Sequence, residues 1–395
     1  MQYSVSLLHE ALTVATWIIM LLLGYREMRK YDKLYEESEY EKEEDEEERE
    51  YFFYKPRSFW YRMLFITILF VTFGCVGGDF LHNQVIYDMN VQSDHPIHFE
   101  NVYVLLIKGL PTNYYLWRFC VWGTAAFLLF KILDEIKSDL DFSFFVFTLM
   151  LMNHFPNLRQ TLGFMMMFYG YVLLFRSAED TMPQKLVMGI ILLIFSTFFH
   201  STILVFIILS LLLFIPGTKS LTMVIISLIA FPFLYDITKE LSTQFIGLVS
   251  SNDMMQEKAT KYIESSFRVE LNIRGFLKLF INRLPVLMLF FYGIKKVLID
   301  KVQVSHMEKH LLMLTYLLIY ISCLFFNNNV SAYLSQRFWD AACYPLTIFA
   351  MVFLRNYSGN LYVKVAMYAF LLSNIFNMAY SLYTIDNFNA NANSF

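Results

Sequence analysis

The chain has 395 residues, of which 57% are hydrophobic and 18% are aromatic, and its mean hydropathy is +0.46. Repeated apolar runs of membrane-spanning length exclude a soluble globular protein and indicate a polytopic membrane protein. The formal net charge is only −3, and we expect no nucleic-acid partner.

Continuous apolar runs predict an all-α fold with about twelve transmembrane helices. Helices are favoured over a barrel because an isolated apolar span must satisfy its own backbone hydrogen bonds. Several runs are shorter than a full bilayer crossing, so some spans are expected to be tilted, re-entrant or broken. The runs lie near residues 11–25, 63–78, 114–131, 142–155, 157–175, 186–199, 201–216, 221–237, 276–294, 310–326, 338–354 and 364–383.

The distribution of basic residues predicts the orientation of these spans. The first run, Ala11–Gly24, lacks the basic region of a signal peptide and is followed by Arg26, Arg29, Lys30 and Lys33. This order indicates an uncleaved span with the N-terminus outside. The cytosolic connections then carry 20 of the 31 Lys and Arg residues, in agreement with the positive-inside rule.

Three connections are long enough to stand out from the spans. The cytosolic loop 27–62 contains Glu36–Glu50, where eleven acidic residues face two basic ones, a pattern typical of a solvated segment. The external loops 79–113 and 239–275 are predicted to form the substrate cleft and to carry short interfacial helices. No linker separates domains, so we predict one integral membrane domain over residues 1–395.

The first external loop supplies carboxylates. Asp79 follows Gly77 and Gly78 at the end of a span, where glycines permit a sharp turn and a close backbone approach. Glu100 lies farther along the same loop. A hydroxyl group that acts as a nucleophile has to lose its proton, so Asp79 or Glu100 is a candidate general base.

The chain shows no convincing metal-binding pattern. His95 and His98 have a spacing that suits a metal ion, but no confirming partner set accompanies them. The four cysteines fall in or beside apolar spans and form neither a disulfide framework nor a paired metal motif. We therefore predict no metal site and no cofactor.

The basic residues predicted outside include many arginines at the ends of spans. The planar guanidinium group suits bidentate binding of phosphate, so this distribution predicts a phosphate-binding cleft. The alternative is that interfacial arginines bind lipid headgroups. These residues are Arg118, Arg159, Arg283 and Arg337 near the outer ends of spans, and Arg268 and Arg274 at the end of the second external loop.

The segment Asn153–Pro216 holds two polar residues where its apolar spans meet. Pro156 is suited to the start of a helix, which places Arg159 and Gln160 in the first turns and at the outer interface. His200 separates two short runs and is expected at the same depth. An ionisable group at such a position is a functional hypothesis, although a membrane histidine also serves as a packing or helix–helix hydrogen-bonding residue.

These motifs resemble the EpsG-like, Wzy-type polysaccharide polymerases of bacterial envelopes. The Arg-Gln pair followed about forty residues later by Phe-His is the most specific part of the resemblance. Gly163 departs from it, because a small alanine is common at that position in the family. The matching residues are Gly78-Asp79 with Tyr87, Phe99-Glu100 with Tyr103, Asn157-Leu158-Arg159-Gln160, Phe199-His200-Ser201 and Arg337.

The resemblance implies a glycosyltransferase in the bacterial cytoplasmic (inner) membrane with its active site on the external, periplasmic face. The partners would be an undecaprenyl-pyrophosphate-linked oligosaccharide donor and acceptor, membrane lipid, and a chain-length regulator protein. Family membership suggests that Arg159, His200 and Arg337 line the cleft.

We assign roles to the candidate residues on this basis. Arginines hold the pyrophosphate, because stabilising the charge on the leaving group is the main task of such an enzyme. Asp79 or His200 accepts the hydroxyl proton, and Glu100 orients the acceptor sugar. The expected pyrophosphate- and glycan-binding residues are Arg159, Arg337, Arg274, Arg118 and Gln160.

Three other functions fit parts of the sequence. A glycan ligase would use the same lipid-linked donor and the same arginines. A lipid-linked oligosaccharide transporter or flippase could have as many spans, but such proteins tend to show internal pseudo-symmetry, which the two halves of this chain lack. A membrane acyltransferase could also use a histidine near the interface.

Overall fold

The structure is a computed structural model that describes residues 113–136, 158–199, 202–249, 273–326, 332–357 and 360–383, with scattered single positions between residues 11 and 150. All regular structure in these ranges is helical, which confirms the predicted all-α class. The α-helices described are α1 Tyr114–Ile136, α2 Leu158–Asp180, α3 Pro183–Thr197, α4 Thr202–Leu212, α5 Leu221–Val249, α6 Ile273–Ile294, α7 His306–Leu324, α8 Ala332–Phe353 and α9 Leu361–Tyr383.

Each of these helices overlaps one of the predicted apolar runs. Within the described ranges, three helical segments are long and apolar enough to cross a membrane, namely α1, residues Leu221–Thr238 of α5, and α7. Shorter apolar helical segments are Pro183–Thr197, Ile203–Leu212 and Leu361–Asn377. The runs near 63–78 and 142–155 lie wholly or mostly outside the described residues, and the run near 11–25 is described only at scattered helical positions, so the total of twelve spans stays a prediction.

Local side chains explain where several helices begin. Asn113 accepts hydrogen bonds from the backbone N–H groups of Tyr115 and Leu116 at 2.9 and 3.3 Å. Ser305 and Glu308 form a reciprocal capping box at the start of α7. These contacts satisfy N–H groups that have no partner within the first turn of a helix.

Helix α5 extends farther than the sequence pattern suggested. It continues to Val249 and so includes the first part of the predicted external loop 239–275. Residues 239–249 contain no proline and keep apolar residues at helical spacing, so the helix has no local reason to stop at the end of the apolar run. The predicted short helix of this loop is therefore, in part, a continuation of the preceding span.

The chain packs as two compact units, and unit 1 comprises residues 1–207, 354–359 and 371–395. Helix α2 packs against both α1 and α3 in this unit. Phe164, Met165 and Phe168 of α2 are fully buried. A helix that is enclosed on nearly all sides occupies the centre of its bundle, and α2 therefore forms the core of unit 1.

The α2–α3 hairpin depends on two glycines. A Cβ atom on Gly170 would lie 2.9 Å from the backbone oxygen of Gly189, and a Cβ atom on Gly189 would lie 2.9 Å from the backbone oxygen of Gly170. Small residues allow such close approach of helix backbones in membrane proteins. The hairpin turns at Thr181, which has a φ of 54°.

Three polar residues meet at one end of unit 1. Lys185 Nζ forms an ion pair with Glu135 Oε2 at 2.7 Å, and Arg176 Nε donates to the backbone oxygen of Glu135 at 2.8 Å. These residues belong to connections that the positive-inside rule predicts to be cytosolic. Their clustering places the C-terminal ends of α1 and α2 beside the N-terminal end of α3, so α1 and α2 run parallel and α3 runs antiparallel to both.

Unit 2 comprises residues 208–353 and 360–370, and its core is the pair α7–α8. Residues 341–350 of α8 are all buried. Ser322 Oγ donates to the backbone oxygen of Ser335 at 2.7 Å, and Ser335 Oγ donates to that of Ser322 at 2.8 Å. These reciprocal hydrogen bonds join the end of α7 to the beginning of α8.

Two packing units within one chain are compatible with the predicted single integral membrane domain, which stays a prediction.

Candidate functional site

The three predicted catalytic residues, Asp79, Glu100 and His200, lie outside the described residues. Their roles as base and acceptor-orienting residues therefore stay predictions. The structure does describe the elements that flank His200, as well as the positions of the predicted arginines along their helices.

Arg159 and Gln160 are the second and third residues of α2, in the first turn as the sequence predicted. Their side chains lie outside the described part of the chain. The first turn of a helix presents backbone N–H groups without helical partners, and the helix dipole favours anions there. The helix that begins at these residues is also the enclosed core of unit 1, which fixes the backbone of this first turn.

Residues on both sides of His200 contact α2 one turn after Arg159. A Cβ atom on Gly163 would overlap with Ile203 Cδ1 and would lie 3.4 Å from the backbone oxygen of Ser196. Ser196 is the penultimate residue of α3 and Ile203 is the second residue of α4, so the ends of both helices that flank His200 lie beside the first turns of α2. The common depth of Arg159 and His200 stays a prediction.

Gly163 itself has a packing role that the sequence did not reveal. An alanine at this position would require the Ile203 side chain to move. The Ile203 side chain of α4 occupies the space that a methyl group at Gly163 would need.

Arg118 is almost completely buried in unit 1, with 1% of its surface exposed. Its Nη1 donates to Tyr114 Oη at 3.3 Å, and its guanidinium carbon lies 5.7 Å from the centre of the Tyr114 ring. Tyr114 also packs against Tyr87 and Trp117. Arg118 thus has an aromatic environment inside the protein, and direct contact with a ligand would require these rings to move.

Arg337 and Arg274 belong to unit 2. Arg337 is the sixth residue of α8 and is half-buried. Arg274 is the second residue of α6, and its side chain lies outside the described residues. The predicted arginines are thus distributed over both units, and their convergence on one cleft stays a prediction.

A polar network in unit 2 was not assigned from the sequence. The guanidinium carbon of Arg283 lies 4.6 Å from the centre of the Trp339 ring and 5.1 Å from that of Phe326. Arg283 Nη2 donates to Gln336 Oε1 at 3.3 Å, and Gln336 Nε2 donates to Asp340 Oδ1 at 2.7 Å. Asp340 was the feature of the sequence that could have indicated this network, because it is an ionisable residue within the apolar run 338–354.

In the part of the chain that the structure describes, no three His, Cys, Asp or Glu side chains lie close enough to hold a metal ion. His95 and His98 lie outside this part. Among the described polar side chains, Arg283 and Gln336 are of the types that bind anions and sugars through hydrogen bonds.

A family model described as the EpsG family matches residues 58–391. No curated protein and no solved structure matches the chain. The match confirms the family resemblance predicted from the motifs. Together with the apolar helices it indicates a membrane protein of polysaccharide biosynthesis.

Proposed function

We infer that this chain, which belongs to the EpsG family, is a polymerase of polysaccharide biosynthesis that joins lipid-linked repeat units. The donor is a growing glycan on undecaprenyl pyrophosphate, and the acceptor is a lipid-linked repeat unit. The reaction takes place at the outer face of the bacterial cytoplasmic membrane and releases undecaprenyl pyrophosphate.

The family match is the observation that carries this proposal. It spans residues 58–391 and so includes every residue to which we assign a role. The position of Arg159 and Gln160 in the first turn of the core helix of unit 1 supports it further. The placement of Ser196 and Ile203 on either side of His200 and against the same helix adds to this support.

The reaction requires one bond to form and one to break. The acceptor hydroxyl oxygen attacks the anomeric carbon of the donor, and the bond between that carbon and the pyrophosphate oxygen breaks. The hydroxyl proton passes to Asp79 or His200, and Glu100 orients the acceptor sugar. The electron pair of the broken bond leaves with the pyrophosphate.

Arginine side chains stabilise the negative charge that develops on the leaving group. Arg159 and Arg337 bind the pyrophosphate, and Arg274 and Gln160 complete the binding site. The buried Arg118 would join them only if the aromatic rings around it moved. A lysine would keep the charge but lose the planar fork that matches two phosphate oxygens. Charge-conserving substitutions therefore separate specific phosphate binding from general electrostatic attraction.

The test is the chain-length distribution of the polysaccharide in cells that express variants from the native locus. Arg159→Lys, Arg337→Lys, Asp79→Asn and His200→Ala are each expected to reduce polymerisation about 100-fold or more, as the loss of a charge-stabilising donor or of a general base does in other enzymes. The comparison is valid only for variants that insert into the membrane in the same amount as the unmodified protein. Polymer of normal length and amount from all four variants would refute the assignment.

Lys364→Gln is the matched control. Lys364 is exposed near the start of α9, at the end predicted to be cytosolic, and we expect a normal polymer ladder. Purified protein with lipid-linked repeat units distinguishes the alternatives: a ligase would add a single glycan to a different acceptor, and a transporter would move the lipid-linked glycan without forming a bond.

A further inference from the structure

The side chain of Arg283 is held by residues from three parts of unit 2. Arg283 is the eleventh residue of α6, Trp339 lies in α8, and Phe326 follows the end of α7. Both rings lie close enough to the guanidinium group for cation–π contact, at 4.6 and 5.1 Å. The rings thus fix the position of a cation where α7 ends and α8 begins.

Gln336 fixes the orientation of the same group. An ionised carboxylate only accepts hydrogen bonds, so Asp340 Oδ1 holds the NH₂ end of the Gln336 amide at 2.7 Å. The amide oxygen is then directed to Arg283 Nη2, at 3.3 Å. The chain Asp340–Gln336–Arg283 therefore sets the rotation of the guanidinium fork.

The charge of Arg283 is not neutralised by direct contact with a carboxylate within the described ranges. Asp340 reaches the guanidinium through the Gln336 amide, and the ion pairs described in unit 2 do not include Arg283. Arginine has five N–H donors, and Gln336 accepts one hydrogen bond from them. A half-buried and oriented guanidinium with donors to spare is suited to bind an anion with two adjacent oxygens.

Resting on the proposed function, we propose that Arg283 binds a phosphate group of the lipid-linked donor and forms one anion site with Arg337. Arg337 directly follows Gln336 in α8, so the residue that orients Arg283 is adjacent in the chain to a predicted pyrophosphate ligand. Two arginines on neighbouring helices of one unit provide the donors that a diphosphate requires. The chemistry recognised is a phosphate ester, from either the lipid-linked donor or a lipid headgroup.

The first test measures binding of inorganic pyrophosphate to the full-length purified protein by isothermal titration calorimetry. Arg283→Gln is expected to weaken binding about tenfold or more. Lys296→Gln is the matched control, because Lys296 lies just beyond the C-terminal end of α6, away from the Arg283 network, in an ion pair with Asp300 at 3.0 Å. Its affinity should equal that of the unmodified protein, and equal affinity of the Arg283→Gln variant would overturn the proposal.

Arg283→Lys is the second variant and covers the case in which Arg283→Gln does not fold. It keeps a cation against Trp339 and Phe326 but loses the planar fork. We expect its affinity for pyrophosphate to fall about threefold or more. Unchanged affinity in this variant would also overturn the proposal, because it would leave only a structural role for the residue.

The source of the phosphate is tested in lipid nanodiscs. Pyrophosphate affinity is measured in discs of phosphatidylcholine alone and in discs that contain phosphatidylglycerol. Affinities within roughly twofold of each other are expected if the site takes the lipid-linked donor. A loss of about tenfold caused by phosphatidylglycerol would assign Arg283 to anionic headgroups and would overturn the donor assignment.

Polymerisation kinetics separate this inference from the proposed function. Arg283→Lys is expected to raise the KM for the lipid-linked donor more than it lowers kcat. An unchanged donor KM in an active variant would overturn the role of Arg283 and leave the polymerase assignment intact. Arg283-dependent pyrophosphate binding by a protein that forms no polymer would support the anion site and contradict the polymerase.

Discussion

Single residues at helix contacts determine how closely the helices of unit 1 approach. Gly163, Gly170 and Gly189 of this unit lie where a Cβ atom would meet a neighbouring side chain or backbone, whereas Gly123 of α1 has no neighbour within 4 Å of such an atom. Glycine is unfavourable within a helix by about 1 kcal/mol relative to alanine. Close packing offsets this cost at Gly163, Gly170 and Gly189. Gly123 has no such packing contact and therefore provides a comparison.

Gly170→Ala is therefore expected to destabilise the protein, by about 1–3 kcal/mol, because the added methyl group would push the α3 backbone away from α2. Gly123→Ala should be neutral or stabilising, by up to about 1 kcal/mol. The measurement is the thermal unfolding midpoint of each variant in the same detergent. Equal midpoints for the two variants would contradict the close contact between Gly170 and Gly189.

The sequence predicts where a site residue lies along its own helix, but it does not predict which residues of other helices contact it. The sequence placed Arg159 and Gln160 in the first turn of a helix because the flanking pattern is local, and α2 has them there. The Arg283–Gln336 contact joins residues 53 positions apart. Neither hydropathy nor spacing indicates which helices meet, so this network required the structure.

Pairs of helices, rather than single helices, form the stable elements of both units. In unit 2 the α7–α8 pair is joined near its turn by the two reciprocal Ser322–Ser335 hydrogen bonds. Each hydroxyl donates to the backbone of the other helix and is buried. Interhelical hydrogen bonds of this kind contribute on average about 0.6 kcal/mol in a membrane protein, with a maximum near 1.7 kcal/mol.

Ser322→Ala and Ser335→Ala should each destabilise the protein by about 1 kcal/mol. The double variant should lose more than either single variant, but strict additivity is not expected because the two hydroxyl oxygens lie 3.2 Å apart. Ser177→Ala is the control, since Ser177 Oγ donates to Leu174 within its own helix. Equilibrium unfolding in mixed micelles provides the free energies. A loss in the double variant no larger than in either single variant would show that the two bonds do not act separately.

Apolar runs predicted the positions of the helices but not their surroundings. Helices α2 and α5 both arise from such runs, yet α2 is enclosed by protein whereas only 6% of the apolar window of α5 is buried. The apolar run 221–237 does not predict the extension of α5 to Val249, because a helix does not have to end where its apolar residues end. Helices end at capping residues or at helix-breaking residues such as proline and glycine, and residues 239–249 contain few residues of either kind.

For the whole molecule, orientation in the membrane is the property on which the proposed site depends. Glu135, Arg176 and Lys185 cluster at one end of unit 1, and the basic-residue count predicts that this end is cytosolic. The first turn of α2, with Arg159 and Gln160, lies at the opposite end of that helix. The proposed external active site therefore requires that the α2–α3 turn faces the cytosol.

Two cysteine substitutions test this orientation in a variant without the native cysteines. Gly109 is exposed with open space around it, and Met182 in the α2–α3 turn is 50% exposed. A membrane-impermeant maleimide should label Gly109→Cys in intact spheroplasts and Met182→Cys only after permeabilisation. The opposite labelling pattern would invert the topology and would place Arg159 on the cytosolic side.

The enclosure of α2 also has a consequence for biosynthesis. Neither α2 nor α8 is among the described helices that are apolar and long enough to cross a membrane alone, because helices surrounded by protein need fewer apolar residues than helices in contact with lipid. A newly made α2 would therefore partition weakly into the bilayer by itself. The Gly170–Gly189 contact allows it to enter as a hairpin with α3, so the order in which helices leave the translocon becomes part of how the core of unit 1 is assembled.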